Sequence, residues 1–216
     1  YMADSDFVPV PVEGLLNADY LRARSQLIQP EATIGKALPG RPPGITTAQA
    51  SMHQIEPAGT SHFSMVDSRG NIVSMTTTIE SGFGSMLMTQ GFLLNNEMTD
   101  FSFRASKGGL LVANRVEGGK RPRSSMAPTI VFDSRGAPIL VAGSPGGSRI
   151  ICYVAQALIG VLDWNMNPQQ AVSMPHFCNR NGPTDLESHH HAAALKTALT
   201  DLGHEVRIRD MNSGLH

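Results

Sequence analysis

The chain has 216 residues, 41% of them hydrophobic, and 17 Lys and Arg against 18 Asp and Glu give a formal net charge of −1. This length suits one domain or slightly more, and the apolar content is enough for a core. Balanced charge and few aromatic residues exclude the basic footprint of a nucleic-acid-binding protein. The longest apolar run, residues 150–162, is interrupted and too short to span a membrane.

The first region combines one predicted helix with a long linker. Asn17 is placed to cap a helix over residues 17–27, with Leu21 and Leu27 facing inward. Residues 29–59 are rich in Pro, Gly, Ala and Thr and have no sustained hydrophobic period. This composition is typical of a mobile linker.

Two β-hairpins are predicted where apolar and polar residues alternate on both sides of a turn, at residues 61–79 and 128–143. Both carry the same Asp-Ser-Arg-Gly turn, at residues 67–70 and 133–136. The aspartate can start a turn by bonding its own backbone, and the glycine accepts the positive φ that ends it. Residues 91–94 predict another short strand between the hairpins.

Residues 148–163 predict a helix that is apolar nearly all round and is therefore buried between layers. Asn167 and Pro168 are suited to open the next short helix.

Thr184 and Glu187 have capping-box spacing before a predicted helix that runs to Leu202, where Gly203 is placed to stop it. A strand over residues 205–209 follows. Antiparallel hairpins with inserted helices indicate an α+β layered domain.

The two cysteines, Cys152 and Cys178, form no CxxC pair and have no metal-ligand spacing. Two cysteines cannot build a disulfide framework, so we expect both to be buried thiols. Consecutive histidines at 189–191 point in different directions on a helix, so we expect them to be solvated at a helix start rather than to bind a metal. No cofactor or metal is predicted.

Familiar phosphate-binding and hydrolase motifs do not fit the glycine-rich segments. Residues 143–148 lack GxGxxG spacing, and Ala142 stands where a GxSxG elbow around Ser144 needs glycine. Asn114 occupies the position of the first Walker glycine before residues 119–120.

Gly59 and Thr60 lie where the predicted linker meets the first hairpin. If the bond between them were cleaved, Thr60 would carry a hydroxyl and a free α-amine, whose ordinary pKa of about 7.7–8.0 makes it a usable base at neutral pH. The γ-methyl of Thr60 restricts χ1, and Gly59 would allow the strained backbone in which the hydroxyl attacks the preceding carbonyl. On these residues alone, an ordinary threonine at a strand start is the commoner explanation.

Gly146 and Gly147 lead into the predicted apolar helix, so their backbone N–H groups would lie near its N-terminus. Such donors suit an oxyanion, and the lack of side chains permits close approach of a substrate carbonyl. A tight strand-to-helix turn without a ligand remains the alternative.

Four segments occur in the order TSHFSMVDSRGNIVSMTTT, LLNNEMTDFS, KRPRSSMAPTIV and GSPGGSRI. They resemble the small subunit of the γ-glutamyltranspeptidase family, which are N-terminal nucleophile hydrolases, and residues 1–21 resemble the end of the family's large subunit. The resemblance implies part of an αββα sandwich with antiparallel sheets. Residues 1–59 would be the end of the large subunit and a linker, and residues 60–216 a small-subunit catalytic region truncated at its C-terminus.

The activity implied by the resemblance is transfer of a γ-glutamyl group, from glutathione or another γ-glutamyl amide, to an amine or to water. Thr60 matches the nucleophile exposed by autocatalytic cleavage after Gly59, and Thr78 matches the threonine that helps to activate it. Gly146 and Gly147 match the oxyanion hole.

The resemblance also assigns four substrate-binding residues. Glu97 and Asp100 match the acidic pair that holds the substrate α-ammonium, and Ser124 and Ser125 match the hydroxyls that contact the α-carboxylate. A pair of carboxylates suits a cation, although the same acidic residues fit a solvated loop.

Two departures from the family pattern concern specificity. Glu80 stands where a T-x-T-x-N pattern has Asn, and a carboxylate there would repel the α-carboxylate of the substrate unless it is protonated, turned away or paired. The loop over residues 103–119, which resembles a lid, is short and has no Tyr or Trp. A related acylase acting on cephalosporin-type or other amides therefore stays open, as does a non-catalytic module.

The predicted partners are the γ-glutamyl substrate, the acceptor and the remainder of the large subunit, which includes the arginine that grips the α-carboxylate. Without that remainder we expect exposed hydrophobic faces, self-association or poor folding, and no turnover. No signal peptide is visible at Tyr1, and no compartment is predicted.

Overall fold

The computed structural model describes residues 1–46, 48–50, 59–189, 191–211 and 213–216. The chain divides into two compact units. The first unit comprises Tyr1–Ile55 with Asn96–Ser124, and the second comprises Glu56–Asn95 with Ser125–His216.

Five α-helices lie in the described residues: α1 Val12–Leu15, α2 Ala18–Ser25, α3 Ile150–Leu162, α4 Pro168–Val172 and α5 Ala192–Asp201. The first six strands described are β1 Thr60–Val66, β2 Ile72–Thr78, β3 Met88–Thr89, β4 Phe92–Leu93, β5 Ser106–Lys107 and β6 Leu110–Leu111. They are followed by β7 Thr129–Phe132, β8 Pro138–Ala142, β9 Phe177–Asn179, β10 Thr184–Glu187 and β11 Val206–Arg209.

The strands form small sheets. Within the described residues, β1–β2, β3–β4, β5–β6 and β7–β8 are antiparallel pairs, and β9, β10 and β11 form one three-stranded sheet with β10 at its centre. The β9–β10 pair is antiparallel and the β10–β11 pair is parallel. The predicted α+β class with antiparallel sheets is therefore confirmed at this level, with one parallel pair in addition.

Helix α2 in the first unit begins as predicted, because the Asn17 side chain accepts a hydrogen bond from a backbone N–H of the first turn. The prediction that Leu21 and Leu27 face inward is wrong, since both are exposed. The helix is held by its cap and by a hydrogen bond from Arg24 to Leu38 O, rather than by an apolar stripe.

The described part of the predicted linker, residues 29–46, 48–50 and 59, contains no helix, in agreement with its composition. Its backbone makes two isolated bridges, one of them from Ala50 to Val112. Thr47 and residues 51–58 lie outside the described residues.

An ion pair joins the two segments of the first unit. The Asp4 carboxylate accepts hydrogen bonds from the Arg121 guanidinium at 2.6 Å and from the Arg121 backbone N–H at 2.8 Å. These bonds hold the pKa of Asp4 well below its ordinary value.

Both predicted hairpins are confirmed, including their turns. The Asp67 carboxylate accepts hydrogen bonds from the backbone N–H groups of Arg69 and Asn71, and Gly70 has a φ of +82°. The second hairpin repeats this arrangement around Asp133. The predicted strand after Gly91 is also present, as β4.

The β1–β2 hairpin buries its polar face. Along β2, Thr76 and Thr78 are half-buried, whereas Met75 and Thr77, which alternate with them, are exposed. On β1, His62 is buried while its neighbour Ser61 is exposed.

Helix α3 is shorter than predicted and is not buried all round. Its buried face includes Tyr153, Val154 and Ala157, but Ile151 and Ile159 are exposed. The helix packs on α4 and β9, and the position of a residue around the helix, not the overall apolar composition, determines whether it is buried.

The predicted start of α4 is confirmed, with Asn167 and Gln170 forming a reciprocal capping box. The predicted helix start at Thr184 and Glu187 is wrong, because these residues bound strand β10. Parallel pairing with β11 satisfies the backbone there, and a capping box cannot compete with a fully paired ladder.

Helix α5 begins at Ala192 and ends at Asp201, and Gly203 follows it with a φ of +89°, as predicted for a stop. The strand predicted over residues 205–209 is confirmed as β11. No helix in the described part of the chain has the length and apolar character needed to cross a membrane.

Cys152 on α3 and Cys178 on β9 form a disulfide, which corrects the expectation of two buried thiols. The packing of α3 on β9 brings their Cα atoms to 5.6 Å, which sequence spacing does not reveal. Cys178 belongs to a small core cluster with Tyr153 and Met211.

We predict that replacing both cysteines by serine lowers the free energy of unfolding by about 3 kcal/mol, because the bridge closes a loop of 26 residues. Denaturant unfolding of the full-length gene product with and without reductant measures this effect. Reductant should change the native protein but not the Cys152→Ser/Cys178→Ser variant. Rapid alkylation of both cysteines in the folded, unreduced protein would contradict the disulfide.

Candidate active site

The register of the β1–β2 hairpin brings two threonine hydroxyls together. Thr60, the first residue of β1, pairs with Thr78, the last residue of β2. The Thr60 hydroxyl donates a hydrogen bond to Thr78 Oγ1 at 3.1 Å. The predicted nucleophile and its predicted activator are therefore direct neighbours.

Thr78 connects Thr60 to the peptide bond that precedes it. Its hydroxyl accepts hydrogen bonds from Thr60 and from the Glu80 backbone N–H at 2.9 Å, and donates to the Gly59 carbonyl oxygen at 3.3 Å. The Ile79 N–H donates to the same carbonyl oxygen at 3.5 Å. Two donors thus polarise the carbonyl of the Gly59–Thr60 bond.

Gly59 provides space rather than an unusual backbone conformation. A Cβ at this position would lie 2.5 Å from Glu80 O and from the Ser81 carbonyl atoms. The φ of Gly59 is not in the left-handed region. The strained backbone expected at Gly59 from the sequence is therefore not seen as a positive φ. A side chain at residue 59 would therefore force the Gly59 carbonyl away from its two donors.

Glu80 lies directly beside this arrangement. Its residue is 6% exposed, and its backbone has a φ of +73°. A left-handed conformation costs a residue with a side chain about 1 kcal/mol and is found preferentially at functional sites.

The predicted oxyanion donors lie in a turn between β8 and α3. Gly146 and Gly147 have φ values of +133° and +57°, and a 3-10 turn, Gly147–Arg149, leads into α3. The first N–H groups of a helix have no partner within it and carry its positive dipole end. Arg149 anchors this turn through an ion pair with the buried Asp185 at 2.7 Å.

His62 is a residue of this site that sequence reasoning missed. It is 7% exposed, and its Nδ1 and Nε2 lie 2.8 Å from Thr76 Oγ1 and 3.2 Å from Ser64 Oγ. Burial, and then the nearby His216, lower the pKa of His62 below its ordinary value. The sequence did contain a signal for His62: it lies two residues after Thr60 in a predicted strand, so both side chains point to the same face.

The predicted substrate-binding residues are distributed over both units. Glu97 and Asp100 bound a 3-10 turn in the first unit, where the Asn114 amide donates to Asp100 O at 2.7 Å. Ser124 is exposed at the end of a first-unit segment, and the half-buried Ser125 begins a segment of the second. A joint role of these residues in binding stays a prediction.

No cluster of His, Cys, Asp or Glu that could hold a metal ion occurs among the residues that the structure describes. His191 lies at the start of α5, and His190 lies outside the described residues.

Comparison with known proteins gives consistent matches. The family model for gamma-glutamyltranspeptidase matches residues 1–215. The glutathione hydrolase proenzyme of Bacillus subtilis (strain 168) is 42% identical over 185 residues, which cover 82% of this chain and 30% of that protein. The chain thus spans about 30% of the length of such curated relatives.

Two solved structures are similar over 71% of this chain, each with 41% identity and a TM-score of 0.64. One is the T380A mutant of Helicobacter pylori gamma-glutamyltranspeptidase, of which 87% is covered. The other is an acivicin-inhibited gamma-glutamyltranspeptidase, 86% covered, whose C-terminus is described as critical in autoprocessing and catalysis.

We predict that His62 titrates below the ordinary histidine pKa of about 6.5. As the pH falls, His62 is then protonated at a higher pH in the unfolded chain than in the folded one. Its contribution to the free energy of unfolding is therefore complete above pH 6.5 and is lost as the pH drops from there through the folded pKa of His62. NMR titration of histidine-labelled protein measures the pKa, with His62→Gln identifying the signal. A His62 signal that titrates at or above the ordinary value would contradict the buried, neutral imidazole.

Proposed function

Because the chain belongs to the γ-glutamyltranspeptidase family, we propose that the protein transfers the γ-glutamyl group of glutathione or another γ-glutamyl amide to an amine or to water. The main support for this proposal is a pair of linked hydrogen bonds, from the Thr60 hydroxyl to Thr78 Oγ1 and from the Thr78 hydroxyl to the Gly59 carbonyl oxygen. These contacts support the proposal because a nucleophile, a proton relay and an activated carbonyl would then lie together at one end of the hairpin.

We assign residues 1–59 to the end of a large subunit and a linker, and residues 60–216 to a small subunit. In this assignment the chain's sheets and helices form part of an αββα sandwich whose other part comes from the remainder of the large subunit. The match of the family model across both segments supports the assignment, as does the name proenzyme carried by the relatives.

The directions of the hydrogen bonds support a route for self-cleavage. As Thr60 Oγ1 attacks the Gly59 carbonyl carbon, its proton passes to Thr78 Oγ1, and the Thr78 proton passes to the carbonyl oxygen. The Ile79 N–H stabilises the charge that develops on that oxygen. As the C–N bond breaks, the proton on that oxygen passes to the departing nitrogen and the carbonyl re-forms as an ester between Gly59 and Thr60 Oγ1. Water then hydrolyses the ester to a Gly59 carboxylate and the Thr60 hydroxyl, with the Thr60 amine free.

Turnover uses the same hydroxyl with a new base. The free Thr60 amine takes the hydroxyl proton as Thr60 Oγ1 attacks the γ-carbonyl, and the amide nitrogen leaves protonated. The N–H groups of Gly146 and Gly147 stabilise the oxyanion. Water or an acceptor amine then attacks the acyl-enzyme and restores the Thr60 hydroxyl.

Substrate recognition is assigned to charge. The carboxylates of Glu97 and Asp100 hold the α-ammonium, and the hydroxyls of Ser124 and Ser125 contact the α-carboxylate. An ionised carboxylate at Glu80, which replaces the usual Asn, would repel the substrate α-carboxylate and attract its α-ammonium, and only the attraction distinguishes a γ-glutamyl group from a glutaryl group.

We predict that Thr60→Ala abolishes both cleavage and turnover of the full-length gene product, because no hydroxyl remains to attack the Gly59 carbonyl. The native protein should give two bands on a denaturing gel, and the smaller polypeptide should begin at Thr60. The exposed neighbour Ser61 provides the matched control, since Ser61→Ala should process normally. One uncut band of native protein, unchanged by Thr60→Ala, would instead indicate a non-catalytic module.

We predict that neutralising Glu97 and Asp100 lowers kcat/KM for a γ-glutamyl anilide by about 10- to 100-fold, the loss of one or two charge-assisted contacts. The kcat/KM for a glutaryl anilide, which lacks the ammonium group, should change by less than about threefold, because both carboxylates are assigned to bind only the ammonium.

Glu80→Asn distinguishes the two acyl specificities in the same assay. We expect it to reduce the preference for γ-glutamyl over glutaryl substrate. Native enzyme that prefers glutaryl or cephalosporin-type amides would favour a related acylase over a γ-glutamyl transferase.

A further inference from the structure

The buried face of the β1–β2 hairpin continues past the nucleophile as a set of paired polar side chains, called here the polar ladder. Three cross-strand pairs form it: Thr60 with Thr78, His62 with Thr76, and Ser64 with Ser74. Each member lies two residues from the next along its strand, so all six occupy one face.

His62 is the largest member of the polar ladder and is held at both ring nitrogens. Nδ1 lies 2.8 Å from Thr76 Oγ1 across the hairpin, and Nε2 lies 3.2 Å from Ser64 Oγ on its own strand. With both nitrogens paired and the side chain 7% exposed, the imidazole has one fixed orientation.

The edge of this imidazole lies against the backbone at the end of β8. A Cβ built on Gly143 would overlap with three ring atoms of His62. The ladder touches the preceding residue as well, since the Ser74 hydroxyl donates to Ala142 O at 3.3 Å. Residue 143 is thus a glycine because the His62 ring occupies the space that a side chain there would need.

The Gly143 backbone is also held by two hydrogen bonds to His216. The Gly143 N–H donates to His216 O at 3.1 Å, and the His216 N–H donates to Gly143 O at 3.0 Å. Three residues later the chain reaches Gly146 and Gly147. The imidazole is therefore a spacer between the strand that begins at Thr60 and the strand that leads to the diglycine turn.

We propose that His62 is a positioning residue that sets the separation between the Thr60 hydroxyl and the amides of Gly146 and Gly147. The inference rests on the proposed function, which gives those groups their roles as nucleophile and oxyanion donors. This role requires no proton transfer by His62, whose two ring nitrogens contact hydroxyls of the polar ladder. It acts through the position of the β8 backbone.

The test is a double-mutant cycle between His62 and Gly143 in the full-length gene product. Processing is followed on denaturing gels, and kcat and KM for a γ-glutamyl anilide are normalised to the cleaved, folded protein. The set comprises His62→Ala, His62→Gln, Gly143→Ala, the double variant His62→Ala/Gly143→Ala and the control Thr77→Ala. Thr77 lies on the exposed face of β2, so its variant should behave as the native protein does.

We expect His62→Ala to lower kcat about 10- to 100-fold, the effect of a displacement of about 1 Å between reacting groups. KM should change by less than about threefold, because ground-state binding contacts are untouched. His62→Gln, which retains a hydrogen-bonding amide, should recover part of kcat. Gly143→Ala should be the more damaging single change, and the double variant should return to the level of His62→Ala, because removal of the ring makes room for the new methyl.

Two results would overturn the inference while the proposed function stands. One is a native-like kcat in folded His62→Ala and His62→Gln, with only stability reduced. The other is a double variant whose loss equals the product of the single losses. Native protein that neither cleaves nor turns over substrate would overturn the proposed function, and the inference with it.

Discussion

The pairing of β1 with β2 is the constraint on which the site depends. Its register sets Thr60 opposite Thr78, and a shift of one residue would turn the Thr60 hydroxyl to the other face. The backbone of Glu80 lies so close to Gly59 that a side chain at residue 59 would not fit, and this close approach helps to fix the same register at the end of the hairpin. The hydroxyls of Thr60 and Thr78 and the Gly59 carbonyl are therefore held together by ordinary strand geometry.

Burial of the polar face of this hairpin has a consequence for stability. Buried hydroxyls and imidazoles are tolerated only when they are hydrogen-bonded, which explains why His62 and Thr76 are bound across the hairpin. A polar face adds little hydrophobic stabilisation. In the second unit, a disulfide and an ion pair add stabilisation instead. The Cys152–Cys178 disulfide and the Arg149–Asp185 ion pair both hold the start of α3 in place.

The sequence predicts well those features that depend on neighbours in the chain. The turn at Asp67 and the caps at Asn17 and Asn167 follow from short-range hydrogen bonds, and all are confirmed. The features that fail depend on tertiary packing. Thr184 has a helix-cap pattern but pairs in a sheet, and Cys178 meets its partner only because α3 packs on β9. Within the site, the proximity of Thr60 to Thr78 follows from a two-residue periodicity and a hairpin, whereas the contact of His62 with Gly143 joins separate hairpins and leaves no local signal.

In the proposed function the Thr60 hydroxyl carries the acyl group during turnover. This step is tested most directly by rapid acid quenching of processed enzyme during turnover of a γ-glutamyl substrate, followed by peptide mapping with mass spectrometry. We expect a γ-glutamyl ester on the side-chain oxygen of Thr60, in the peptide that begins with this residue. A covalent adduct on another residue, or full turnover with Thr60 never modified, would contradict it.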